Sequence, residues 1–178
     1  MRCAAVALAT FGCADEDIAS AALTQARVTH HNPLTDAATV ALVRMVHAAL
    51  AGRGLGGVLN IAHALADEHP DFAFRGKRCD NPTGYIVDTM CAVMQAIDDN
   101  DGFAAVLTDV VNRGGDADTT GAIAGTVMGA LVGESGLPVD WRRAVKVEVR
   151  REAVRLACGL IELAPYCIAN ALHEASGY

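Results

Sequence analysis

Aromatic residues make up only 4% of this 178-residue sequence, tryptophan occurs once and proline five times. A core with so few rings has to be filled by Ala, Val, Leu and Gly on helices that approach one another closely. Basic residues are also in short supply, 14 Lys and Arg against 21 Asp and Glu, for a net charge of −7. The chain therefore lacks the basic face that sequence-independent binding to nucleic acid or to an anionic membrane requires. The six cysteines, Cys3, Cys13, Cys79, Cys91, Cys158 and Cys167, include no Cys-x-x-Cys pair and no zinc-ribbon spacing. They read as small apolar residues of a reducing compartment, and the cytoplasm is the expected location. The uncharged stretch from Thr119 to Gly133 falls short of the ~20 residues that span a bilayer, and Asp118 and Glu134 bracket it. At the other end, Met1 to Phe11 has one basic residue before a short apolar run. A helical pattern continues past it, which weighs against a secretory signal.

What the sequence does contain is helical periodicity, with no convincing strand alternation. The pattern predicts helices at Asp15 to Val28, Thr35 to Ala51, Leu55 to Glu68, Tyr85 to Ile97, Phe103 to Asn112 and Thr120 to Val132. A long one follows from about Asp140 towards Glu174. Pro165 should kink or divide that last helix, because it lacks an N–H and clashes with the preceding turn. The expected fold class is all-α, as one helical domain over residues 1–178. The stretch from His69-Pro70 to Thr83-Gly84 is the one long irregular segment; its Arg75, Lys77 and Arg78 could meet a phosphate, but as a loop they would mostly be solvated.

The densest chemistry lies in Asn112-Arg113-Gly114-Gly115-Asp116-Ala117-Asp118-Thr119-Thr120-Gly121. Two carboxylates and two hydroxyls follow a flexible Gly-Gly pair and precede an apolar helix, an oxygen-rich set suited to a hard cation such as Mg²⁺ or Mn²⁺. The pattern begins like an EF-hand loop, but Val127 stands where that loop needs its bidentate glutamate. Gly121, Gly125, Gly129 and Gly133 then recur at every fourth position, on one helix face. Glycine costs a helix about 1 kcal/mol relative to alanine, so this spacing predicts a buried central helix pressed closely by its neighbours. Thr119 or Thr120 is expected to cap its first turn.

These residues resemble the C-terminal metal motif of the ADP-ribosylglycohydrolases. Two further stretches are similar in the same order: Thr29-His30-His31-Asn32-Pro33 to a Thr-His-x-x-Pro element, and Gly84-Tyr85-Ile86-Val87-Asp88-Thr89 to a Gly-Tyr-Val-Val-Asp-Thr element. The likeness is strongest to the branch that reactivates dinitrogenase reductase. It implies an all-α fold of this type and hydrolysis of the N-glycosidic bond between ADP-ribose and a protein arginine. The implied metal ligands are Asp116, Asp118 and Thr119, with Asp116 and Asp118 also catalytic. The implied ADP-ribose contacts are His31, Tyr85 near the adenosine, and the main chain of Gly114 and Gly115 against the ribose or diphosphate. Mg²⁺ or Mn²⁺ is the implied cofactor, dinuclear in the family, and an ADP-ribosylated protein, possibly dinitrogenase reductase, the implied partner. The family's second acidic cluster, of the Thr-Asp-Asp type, has no counterpart in these residues. Met1 to Leu8 resembles an internal family segment, so the chain reads as the C-terminal portion of such a domain.

Other polar groups point to structure. His30 and His31 are adjacent, which makes joint ligation of one metal awkward, and they precede Pro33 as a turn leading into a helix would. Asp98-Asp99-Asn100-Asp101 sits at a helix end before Gly102 and reads as a solvated turn.

Overall fold

A computed structural model describes residues 3–176, and the side chains of 3–170. Ten helices follow in order: α1 Cys3–Ala9, α2 Asp15–Ala26, α3 Pro33–Leu50, α4 Gly54–Glu68, α5 Ile86–Asp99, α6 Phe103–Asn112, α7 Ala117–Val132, α8 Val139–Ala144, α9 Val147–Glu162 and α10 Pro165–Ser176. Single 3₁₀ turns lie at Pro70–Phe72 and Glu134–Gly136, and no strand occurs among the described residues. The all-α expectation is met, and α6 has the predicted bounds.

The central element is α3, against which α1, α2, α4, α5 and α7 pack. Nine of its residues are buried, among them Leu42, Val43, Met45 and Val46. Its start is well specified, because Asn32 Oδ1 accepts from Leu34 N at 2.8 Å and Pro33 brings a preset φ and no orphan N–H. Phe72 and Phe74, two of the four phenylalanines, seal the core beneath the irregular segment.

The expectation of α7 as the buried central helix is corrected. It buries one stripe, Thr120, Ile123, Ala124, Val127 and Met128, and the glycines lie beside that stripe. Only Gly121 is tight, where a Cβ would come 3.1 Å from Val111 Cγ2; Gly125 has ordinary room against Leu107, and Gly129 faces nothing within 4 Å. Gly133 ends the helix at φ +64, a left-handed cap that glycine adopts without strain. Nor do the threonines cap the start: Thr120 is buried with its hydroxyl returned to the Asp116 carbonyl at 3.2 Å, and Asp116 itself is the N-cap residue.

Pro165 divides the last predicted helix, as expected, by starting α10. A second break at Val145 and Lys146, both outside helical geometry, separates α8 from α9. The tail is tied back where Tyr166 N donates to Phe11 O at 3.1 Å, their rings 4.7 Å apart, with Gly12 leaving the space for Tyr166.

Candidate functional site

Two turns meet at the start of α7. Asn81 N donates to Arg113 O at 2.7 Å and Asp116 N donates to Pro82 O at 2.8 Å, so Asn81–Gly84 and Arg113–Asp116 run side by side. This is where Gly114 and Gly115 are used. Both have positive φ, +77 and +61; a Cβ on Gly114 would meet Asn81 Oδ1 at 2.7 Å, and one on Gly115 would collide with the Pro82 carbonyl. The close approach these glycines permit is to the Asn81 side chain and the Pro82 backbone of the chain itself, and neither lines the cavity described next. The packing of the two turns alone thus calls for glycine at both positions.

The joined turns form one wall of a cavity of about 570 Å³. Asp116, Thr119 and Ile123 contribute from the start of α7, Gly84, Tyr85, Ile86 and Thr89 from the start of α5. The opposite side is made by Gln25 and Ala26 of α2, by His30 and Asn32, and by Thr35 and Thr39 of α3. Of the residues singled out in the sequence, Tyr85, Asp116 and Thr119 lie on this cavity. His31 is exposed and does not; its neighbour His30 does, with Nδ1 2.7 Å from the Thr29 hydroxyl. The shift by one has a plain cause, since adjacent side chains on a turn point in different directions and spacing alone does not say which faces in. Asp118 is exposed outside the lining, in the first turn of α7.

Asp116 is the best-placed group. Although it is the N-cap residue, its side chain makes no capping bond, so the carboxylate remains available to a ligand at a helix N-terminus. Gly84 lies against it, where a Cβ would come only 3.3 Å from Asp116 Oδ2. The Tyr85 turn is held by Asp88, whose Oδ2 accepts from the Thr83 hydroxyl at 2.7 Å, while Thr89 Oγ1 donates to Thr83 O at 3.0 Å. Asp88 therefore supports the rim.

The irregular segment spends its charge internally. Arg75 pairs with Asp98 at 2.9 Å, and Arg78 with Asp80 and with Asp109 at 2.8 and 2.7 Å. Asp98 is thus a structural partner, where a solvated turn was expected; hydrogen bonding from Arg75 holds its carboxyl below the usual range. Burial raises the Cys79 and Cys91 thiols, Cys91 to about 11, so neither supplies a thiolate nucleophile near neutrality.

As a test of fit for a hard cation, the cavity and its edge offer the Asp116 carboxylate, the Thr119 hydroxyl and, beside them, Asp118. That is an oxygen donor set of the right chemistry for Mg²⁺ or Mn²⁺. No group of three His, Cys, Asp or Glu side chains converges among the described residues, so the set is partial.

Residues 1–171 match the ADP-ribosylglycohydrolase family. The chain belongs to that family. It is 42% identical, over 92% of its length, to the ADP-ribosyl-[dinitrogen reductase] glycohydrolase of Rhodospirillum rubrum, and covers 55% of that protein. Over 47% of its length it is 36% identical to an ADP-ribosylarginine hydrolase of Pseudomonas putida. Among solved structures, a chain of an ADP-ribosylglycohydrolase-related protein complex superposes with a TM-score of 0.76 at 28% identity, over 89% of this chain and 57% of the other. The chain thus spans about half the length of these two longer-matching relatives. No described helix of this family member is long and apolar enough to cross a membrane.

Proposed function

We propose that this chain supplies one wall of the ADP-ribose site of a metal-assisted hydrolase, which removes ADP-ribose from a modified arginine. The observation that carries the reading is the gathering of His30, Tyr85, Asp116 and Thr119, three separate motifs in sequence, on one cavity of about 570 Å³. That volume falls within the range of small-molecule sites. Asp116, Asp118 and Thr119 would hold Mg²⁺ or Mn²⁺, which polarises bound oxygen and lowers the pKa of bound water towards neutrality. The Asp116 carboxylate, left free of capping, can accept the proton of an attacking water. Tyr85 on the rim offers an aromatic face to a nucleobase, and His30 a polar contact across the cavity. The proposed protein target is ADP-ribosylated dinitrogenase reductase, on the strength of the 42% identity to the Rhodospirillum enzyme.

A second reading, a non-catalytic ADP-ribose-binding piece, is favoured by the partial donor set. Calorimetric titration with ADP-ribose in the presence and absence of Mn²⁺, run beside an assay for ADP-ribose release from ADP-ribosylarginine, separates the two. Metal-dependent turnover supports the hydrolase, saturable binding without turnover supports the binding piece, and absence of both overturns the placing of ADP-ribose here.

A further inference from the structure

Immediately before the two glycines stands a buried charge that the chemistry above leaves unused. The side chain of Arg113 is fully buried, and removing a guanidinium from water is costly unless every donor finds a partner. Here the donors do. Arg113 Nε and Nη2 donate to Asp109 Oδ2 at 3.1 and 2.6 Å, and Nη1 donates to Gln95 Oε1 at 2.6 Å. The same glutamine oxygen accepts Cys79 N at 2.9 Å, and Gln95 Nε2 donates to Lys77 O at 2.9 Å. From the other side, Arg78 Nη2 reaches Asp109 Oδ1 at 2.7 Å. Burial pushes the Asp109 carboxyl up, but the bonds from Arg113 and Arg78 outweigh it and hold it below the usual range, so it stays ionised under its two arginines.

We propose that Arg113 is a positioning residue: clamped between Asp109 and Gln95, it sets the register of the Arg113–Asp116 turn against the Asn81–Gly84 turn, and thereby the place of Asp116 on the cavity wall. Glycines at 114 and 115 give that turn no side chains of its own to hold it, so its anchors must lie at its ends. One anchor is the Arg113 fork, which ties α5, α6 and the Lys77–Cys79 backbone to a single residue. The other is the pair of inter-turn hydrogen bonds, one of which uses the Arg113 carbonyl itself. An apolar side chain of similar size would fill the space but leave Asp109 and Gln95 without their buried partner, and it would direct nothing. Lysine would keep the charge and lose the planar fork that engages two acceptors at once.

The consequence for catalysis rests on the reading of Asp116 proposed above; the register does not, and it is measured without a ligand. Amide hydrogen exchange is followed at Asn81 and Asp116, whose N–H groups make the inter-turn bonds, and at buried α3 positions such as Val43. In Arg113→Met and Arg113→Lys, exchange at Asn81 and Asp116 is expected to accelerate by at least about tenfold while α3 is unchanged. Val58→Ala, which opens the core on α4, serves as the control for general destabilisation and should speed the slowest core amides without singling out the two turns. Should Arg113→Met not fold, Arg113→Lys and Asp109→Asn carry the same measurement. Unchanged protection of Asn81 and Asp116 in the folded variants, or loss in step with α3, overturns the inference. Titration of the wild-type chain with Mn²⁺ and ADP-ribose is read separately. If it binds neither while the variants lose the two amides selectively, the site reading falls and the positioning role stands.

Discussion

The part of the molecule that carries the cavity and the part that follows α7 are built in opposite ways. Around the cavity, α3, α5, α6 and α7 share a continuous core, and the intervening turns are fastened by Arg–Asp pairs and by Gln95. After Met128 only Ala164 is buried among the described side chains, while Trp141, Val147, Val149, Val154, Leu156 and Leu163 are exposed. Helix α9 has an apolar stripe but no buried residue, and packs chiefly on α1 and α10. The difference teaches that periodicity announces a helix and its apolar face without saying how much of that face a neighbour covers. Tolerance to substitution should follow this division.

The sharpest contrast is between glycines. Gly115→Val forces a β-branched residue to φ +61 and into the Pro82 carbonyl, and should cost about 3 kcal/mol or more, read as a fall in the urea midpoint. A loss below about 1 kcal/mol would mean that the two turns are not locked together. Next comes Asp116→Ala, expected to abolish Mn²⁺-dependent ADP-ribose binding in calorimetry while moving stability by no more than about 0.5 kcal/mol, because the carboxylate makes no capping bond. Gly129→Ala should raise stability by about 0.5–1 kcal/mol, since nothing lies within 4 Å of the added methyl and alanine is the better helix former. Gly121→Ala, facing Val111 at 3.1 Å, should gain less. On the far side of the comparison, Val154→Ser and Leu163→Ser should each stay within about 0.5 kcal/mol. Larger losses would show that the exposed stripe is covered in solution.

The smallest effect concerns pH. Burial lowers His47 below the ordinary histidine value, against a backbone bond from Nε2–H to Ala7 O at 2.7 Å that favours the charged form. The folded state therefore binds fewer protons than the unfolded one below about pH 6.5, and stability must rise with pH through that window. In His47→Gln, the difference in melting temperature between about pH 5.5 and 7.5 should shrink. An undiminished difference would assign the acid sensitivity to other groups.

Legibility in the sequence divides along physical lines. The helices could be read closely because caps and breakers act locally: Asn32-Pro33 opens α3, Pro165 opens α10, and Gly133 closes α7. The break at Val145-Lys146 could not, since no residue there is a helix breaker. The composition of the oxygen-rich motif was plain, and Asp116 and Thr119 do reach the cavity, as does Tyr85. Which of two adjacent histidines faces inward was not readable, because a one-residue rotation on a turn leaves no periodic trace. The Gln95, Asp109 and Arg113 network left only one hint, an Asp–Arg pair four apart at the end of an apolar helix, a spacing that usually marks an exposed pair.

The contact between Phe11 and Tyr166 also orders events in time. These two residues lie near opposite ends of the described chain, so joining them closes a long loop, and closure entropy must be met before the contact returns anything. During synthesis α1 emerges before α10, so its final seating, with Phe11 between His47 and Tyr166, waits for the start of α10. Until then α1 rests on α2, α3 and α9, and a contact made far along the chain completes its seating.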